Sequence, residues 1–230
     1  MSWFTRLAFS SIGKKMLMAV TGAGLCGFLV THLAGNFLIF VGPKAYNAYA
    51  HALETNPLLP LAEVLLAACF LTHIGTALTL AYQNWSARPV PYAYEGTGLG
   101  SSKGGRNAFN YSMLLTGVWV LVFLILHLLT FKFTAHWNDA RSYDSLGQKN
   151  FHALVIEVFR KPLYAYWYIL SMVGLGMHLR HGFLSMFRSV GAYTRKYIDV
   201  IDTLAIVFAG AISVGYASLP IWVQFLGGGN

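Results

Sequence analysis

The sequence predicts an all-α membrane protein, a single domain over residues 1–230 built from five transmembrane helices. Three observations lead there. Hydrophobic residues make up 56% of the chain and charged residues only 10%, whereas a soluble domain carries about a quarter charged residues. Too few polar groups exist to clothe a water-facing surface, and a disordered chain is excluded on the same ground. The mean hydropathy is +0.54, and five apolar stretches reach the roughly 20 residues that a spanning helix needs.

The spans run at about residues 16–41, 58–82, 109–133, 163–187 and 198–225. Lys14 and Lys15 precede the first, as the charged region of a signal peptide would. Its apolar run far exceeds the roughly 7–15 residues of a signal core, so it reads as a retained helix. Between the second and third spans, Asn84 to Gly105 is rich in Gly, Pro and Ser. The run Gly96-Thr97-Gly98-Leu99-Gly100 lacks the preceding strand that a phosphate cradle needs, and it reads as a linker. Between the third and fourth spans, Phe151, Leu154, Val155, Val158 and Phe159 recur at helical spacing. They predict a short amphipathic helix lying in the membrane interface and ended by Pro162. No internal repeat is evident.

The chain carries 16 Lys+Arg against 8 Asp+Glu, a formal charge of +8. The positive-inside rule reads that surplus as topology, without any call on nucleic acid. Arg6, Lys14, Lys15, Arg88, Lys103, Arg106, Arg188, Arg195 and Lys196 fall on one side of the five spans. Lys44, Lys132, Arg141, Lys149, Arg160 and Lys161 fall on the other, alongside Asp139, Asp144 and Glu157. The first set places the N-terminus in the cytoplasm, so the C-terminus lies on the outer side of the cytoplasmic (inner) membrane.

Of eight histidines, His51, His136 and His152 fall in outer loops and are given no role. The other five lie within spans: His32, His73, His127, and His178 with His181. Ionisable groups within a bilayer are costly and mark function. At 1.5 Å per residue, His32 and His127 lie roughly 26 and 27 Å from the cytoplasmic ends of their helices. His73 and His178 lie only about 17 and 15 Å from theirs. Two pairs result, His32/His127 towards the outer face and His73/His178 towards the cytoplasm, offset on the order of 10 Å. His181, nearly a turn closer to the cytoplasm than His178, matches the depth of His73 less well.

Paired imidazoles facing each other across a bundle suit the axial positions of an iron porphyrin, and side chains on facing helices build such sites. Zinc and di-iron sites fit poorly, since no carboxylate or thiolate stands beside them. The expectation is a four-helix core holding two stacked b-type haems, each closed to substrate and so suited to electron transfer. Neither Cys26 nor Cys69 belongs to a Cys-x-x-Cys-His haem-attachment motif, and both read as small apolar fillers. Arg180 either pairs with a haem propionate or snorkels to the interface.

The chain resembles the cytochrome b558-type membrane anchor subunit of succinate dehydrogenase/fumarate reductase, in its five-helix, two-haem form. The residues that carry the likeness are Lys15-Met16 leading to Thr21-Gly22, His32-Leu33-Ala34-Gly35-Asn36, Tyr46-Asn47-Ala48-Tyr49 and Ala62-Glu63 before His73. They continue through Asn84, Ala87-Arg88-Pro89 and Tyr92 to His178-Leu179-Arg180-His181-Gly182-Phe183. The resemblance implies a complex with a flavoprotein and an iron–sulfur subunit on the cytoplasmic side, where Arg88, Lys103 and Arg106 lie. It implies electron transport from succinate through FAD and iron–sulfur clusters to two haem b groups and a quinone (menaquinone or ubiquinone), or the reverse. It also implies His32/His127 as ligands of the outer haem and His73/His178 as ligands of the inner one. A glutamate proposed to carry protons in some two-haem members is replaced here by Gly176. Glu63 is a candidate for quinone-linked proton exchange, or a carboxylate placed at a helix start by the dipole. Two alternatives stay open: the cytochrome b subunit of a hydrogenase or formate dehydrogenase, and a small histidine-containing transporter.

Overall fold

The computed structural model describes residues 10–87, 105–134, 139, 142–144 and 146–228. Arg6, Arg88, Pro89, Tyr92, the Gly96–Gly100 run, Lys103, His136, Arg141 and the side chain of Arg106 lie outside that description. Among the described residues the regular structure is helical, apart from one isolated bridge between Tyr143 and Lys149.

α1 spans Ser11–Asn36, with the Ser10 hydroxyl accepting from the Gly13 N–H at 3.0 Å as its N-cap. A 3-10 turn, Phe37–Phe40, tightens its end. Gly42 then turns the chain at φ +126°, a value that favours glycine, and Pro43 opens α2 (Pro43–Glu54). α3 is Leu59–Ser86 and α4 is Gly105–Phe131. α5, Phe151–Phe159, is capped by Asn150, whose Oδ1 accepts from the Ala153 N–H at 3.0 Å. Pro162 opens α6 (Pro162–Ser189), and α7 runs Ile198–Phe225 around an internal, buried Pro220.

Among the described residues, four stretches are long and apolar enough to cross a membrane: Ser11–Phe40, Leu59–Ser86, Met113–Phe131 and Ile198–Phe225. This is a membrane protein. The expected span at 163–187 forms helix α6 at full length, yet it is not among these four. Its composition follows from its position. α6 packs against α7, α1, α4 and α5, and buries Ala165, Tyr168, Ser171, Met172, Leu175, Leu179 and Leu184. The face of α6 turned to those helices keeps polar positions away from lipid, while Tyr166, Leu170, Val173 and Met177 stay exposed. α3, in contrast, rests chiefly on α1 and leaves a broad apolar face uncovered.

α2 and α5 pack together across one end of the bundle, here termed the capped end. Asn47 clamps them: its Nδ2 donates to Asn150 Oδ1 and its Oδ1 accepts from the His152 N–H, both at 2.9 Å. Lys149 pairs with Glu54 at 2.6 Å along the same seam. α5 forms where its periodicity predicts a helix, and its apolar side chains meet protein. Leu154, Val155, Ile156, Val158 and Phe159 are all buried, and it packs on α2, α6 and α7. Those side chains, Ile156 included, cover more than one face, and protein covers them in turn.

Candidate functional site

The membrane histidines meet in two pairs. The His32 ring in α1 faces His127 in α4, with centres 6.0 Å apart and planes at 84°. His73 in α3 faces His178 in α6 at 6.4 Å and 74°. These are the pairs and levels that helix depth predicts, and it is His178 that meets His73. The first pair lies towards the capped end, the second towards the opposite end. Each pair joins helices across the bundle, since among the four histidine-bearing helices the extensive contacts run α1 to α3, α1 to α6 and α4 to α6.

Hydroxyl groups hold three of the rings. Thr21 Oγ1 lies 3.2 Å from His73 Nδ1, and Thr116 Oγ1 lies 3.4 Å from His178 Nδ1. Each hydroxyl already donates its hydrogen to a carbonyl, Thr21 to Leu17 at 2.8 Å and Thr116 to Met113 at 3.1 Å. Both threonines therefore accept from an Nδ1–H, which fixes Nε2 as the nitrogen with the free lone pair. Tyr168 Oη stands 3.3 Å from His127 Nδ1. His32 differs: Asn36 Nδ2 donates to its carbonyl at 2.8 Å and lies 3.4 Å from its Nε2, while Tyr46 Oη donates to Asn36 Oδ1 at 3.2 Å.

This geometry suits a metal between each pair. With a metal–nitrogen bond of about 2.0–2.1 Å, an imidazole centre lies about 3 Å from the ion, and two centres in line about 6 Å apart. Nδ1 groups anchored to oxygen are the usual outer-shell support for a metal-binding imidazole. No group of three or more His, Cys, Asp or Glu side chains converges among the described residues, so the sites offer two protein ligands each. Between the two levels, Trp119 Nε1, Trp167 Nε1 and Ser171 Oγ are buried with no hydrogen-bond partner among the described residues. Donors of this kind fit an oxygen acceptor such as a porphyrin carboxylate.

The contacts reveal a repeat that the sequence reading misses. α1 and α4 share Thr-Gly-x5-Phe-Leu-x2-His-Leu, at 21–33 and 116–128. Thr21 meets His73 as Thr116 meets His178. A Cβ on Gly22 would sit 3.5 Å from His73 Cε1, and one on Gly117 3.4 Å from His178 Cε1. Phe28 stacks on His32 at 5.2 Å and Phe123 on His127 at 5.6 Å. Gly24 faces Cys69, and Trp119 faces Gly174. The core is thus two copies of one helical hairpin, α1–α3 and α4–α6, and each histidine pair joins equivalent residues of the two copies. The shared string in α1 and α4 was the available signal. α3 and α6 have little in common beyond their histidines, which hides the duplication.

Other candidate residues fall as follows. Glu63 forms an ion pair with Lys132, bridging the capped ends of α3 and α4 with both side chains nearly half exposed. Arg180 is exposed on α6. Gly176 faces Ser213 of α7 so closely that a Cβ there would collide with its hydroxyl, which leaves no room for a glutamate. Gly35 lies under the Tyr49 ring, where a Cβ would sit 2.8 Å from Cζ. His152, edge-on to Tyr46 at 6.1 Å, has its pKa pulled below 6.5 by burial. Tyr46 is pushed up to about 12 by burial and by neighbouring Tyr49.

Comparison with family models, curated proteins and solved structures finds no match to this chain.

Proposed function

We propose that this chain is the two-haem cytochrome b membrane anchor of a succinate:quinone oxidoreductase, carrying electrons between a cytoplasmic flavoprotein/iron–sulfur module and a membrane quinone. The observation that carries the reading is the pair of cross-bundle histidine contacts at 6.0 and 6.4 Å on two levels. The motif resemblance gives it its family. In this reading α6 is the fourth of five spans, the N-terminus is cytoplasmic, and the capped end lies on the outer side.

His32 and His127 would hold one haem b, and His73 and His178 the other. Held by two imidazoles, haem b would supply one-electron transfer. The protein's own part is to fix ring orientation. Thr21, Thr116 and Tyr168 keep the imidazole planes in place, and Phe28 and Phe123 stack on the two capped-end rings. The apolar helices exclude water, a low-dielectric setting that tunes redox potential. Arg180 and the buried Trp119, Trp167 and Ser171 donors are the candidates to meet porphyrin carboxylates.

A reduced-minus-oxidised spectrum with pyridine haemochrome quantitation tests this directly. Two b-type haems per chain are expected, with a succinate-reducible flavoprotein co-purifying. One haem or none per chain, or a nickel- or molybdenum-containing partner in its place, overturns the assignment.

A further inference from the structure

One residue of the repeated hairpin departs from its counterpart at the site itself. The contacts that match the two copies relate α1 to α4 by 95 residues (Thr21 to Thr116, Gly24 to Trp119, His32 to His127). They relate α3 to α6 by 105 (Cys69 to Gly174, His73 to His178). The same offsets place Glu63 where the second copy has Tyr168. Tyr168 Oη is the group that holds His127 Nδ1, at 3.3 Å. By the same offsets its counterpart stands on α3 at the level of His32, whose Nδ1 has no hydrogen-bond partner among the described residues. Glu63 instead reaches sideways to Lys132, in a pair whose side chains are 43% and 45% exposed. Exposed pairs of this kind are weak, and the carboxylate has three side-chain torsions with which to leave it.

We propose that Glu63 is a positioning residue for His32, exchanging its carboxylate between Lys132 and the Nδ1–H of His32, the place that Tyr168 holds against His127. The contact follows from the repeat alone, while its redox consequence rests on the proposed function. An anionic acceptor on an imidazole N–H makes that imidazole a stronger electron donor to a metal than a phenol does. Glu63 in contact with His32 then stabilises the oxidised state of the capped-end haem, and Lys132 competes for the same carboxylate. The two copies thereby give the shared haem one neutral and one charged support, so that its potential answers to a surface ion pair while the other pair, held by two threonines, does not.

The test is a spectroscopic redox titration of the purified complex with Glu63→Gln and Lys132→Gln, the capped-end haem being identified by its loss in His127→Ala. Glu63→Gln is expected to raise the capped-end midpoint, by about 59 mV for a tenfold change in the reduced-to-oxidised ratio. Lys132→Gln should lower it, and the other haem should move in neither variant. Unchanged midpoints in both variants at two haems per chain overturn the proposal while leaving the functional reading intact. The 15N spectrum of the histidine rings reports the contact whether or not a cofactor is bound. The His32 Nδ1 signal should shift in Glu63→Gln and in Lys132→Gln in opposite directions, and no shift overturns the contact. A haem-free chain would overturn the functional reading alone, with the nitrogen spectrum still deciding the fate of Glu63.

Discussion

The two hairpins solve one problem with different side chains. Where α1 meets α3, Gly24 faces Cys69 and the helices approach over small groups. Where α4 meets α6, the Trp119 indole lies over Gly174, with its Cδ1 2.9 Å from where a Cβ would be. The bulk sits in the first helix of one copy, and neither helix of the other carries it, yet Thr, Gly, Phe and His keep their places in both. What the copies share is the grip on the rings. What differs is packing around it, because α6 is enclosed by α5 and α7 while α3 faces outward. The comparison separates residues that serve the site from residues that fill space.

The largest expected effect comes from removing one histidine. His127→Ala should abolish one of the two haems in a haemochrome assay and leave succinate-to-dye electron transfer in the assembled complex largely intact, since dye accepts electrons upstream. Equal loss of dye and quinone reduction would defeat the placement of this pair away from the hydrophilic subunits. Next come the equivalent threonines. Thr21→Val and Thr116→Val should each weaken retention of the other haem by about 10–100-fold, measured as haem transfer to an apo-globin acceptor. A loss confined to one of them would break the equivalence of the hairpins.

The packing difference predicts opposite signs at equivalent depth. Gly174→Ala forces a methyl into the Trp119 ring and should cost about 1–3 kcal/mol by overpacking. Gly24→Ala meets Cys69 Sγ at an ordinary 3.5 Å and should stabilise α1 by about 0.5–1 kcal/mol through helix propensity. Thermal unfolding in detergent reads both. The smallest effect concerns the cap. Because burial lowers the His152 pKa from 6.5, the folded state binds its proton less readily than the unfolded chain. That contribution to stability is complete above about pH 6.5 and is lost as pH falls through the lowered value. The protection factors of the α5 amides, exchange rates corrected for the intrinsic pH dependence, should therefore fall under acid, and His152→Phe should remove the dependence.

Much of the fold was legible because lipid imposes a length and a composition. The last span, 198–225, coincides with α7, and the others differ from their helices only at the ends. α6 was legible by length, while its polarity is a property of its neighbours. Depth along a helix is arithmetic, so the histidine pairs could be read from spacing alone. Their supports could not. Nothing about Tyr46 or Asn36 in the sequence says that one donates to the other near His32, and α2 was unforeseen because its mixed surface is completed by α5. The motif residues Gly35, Tyr49 and Asn47 acquire a reason only in three dimensions: Gly35 and Tyr49 join the cap to the bundle, and Asn47 joins the two helices of the cap.

The enclosure of α6 bears on how the chain enters a bilayer. Tyr168, Ser171, His178, Arg180 and His181 leave this helix too polar to partition into lipid by hydropathy alone. Its seat is the surface offered by α1 and α4, which are synthesised before it, and by α7, which follows after a short turn. In the five-span reading, α6 is expected to enter the membrane together with Ile198–Phe225, the helix it packs against most extensively.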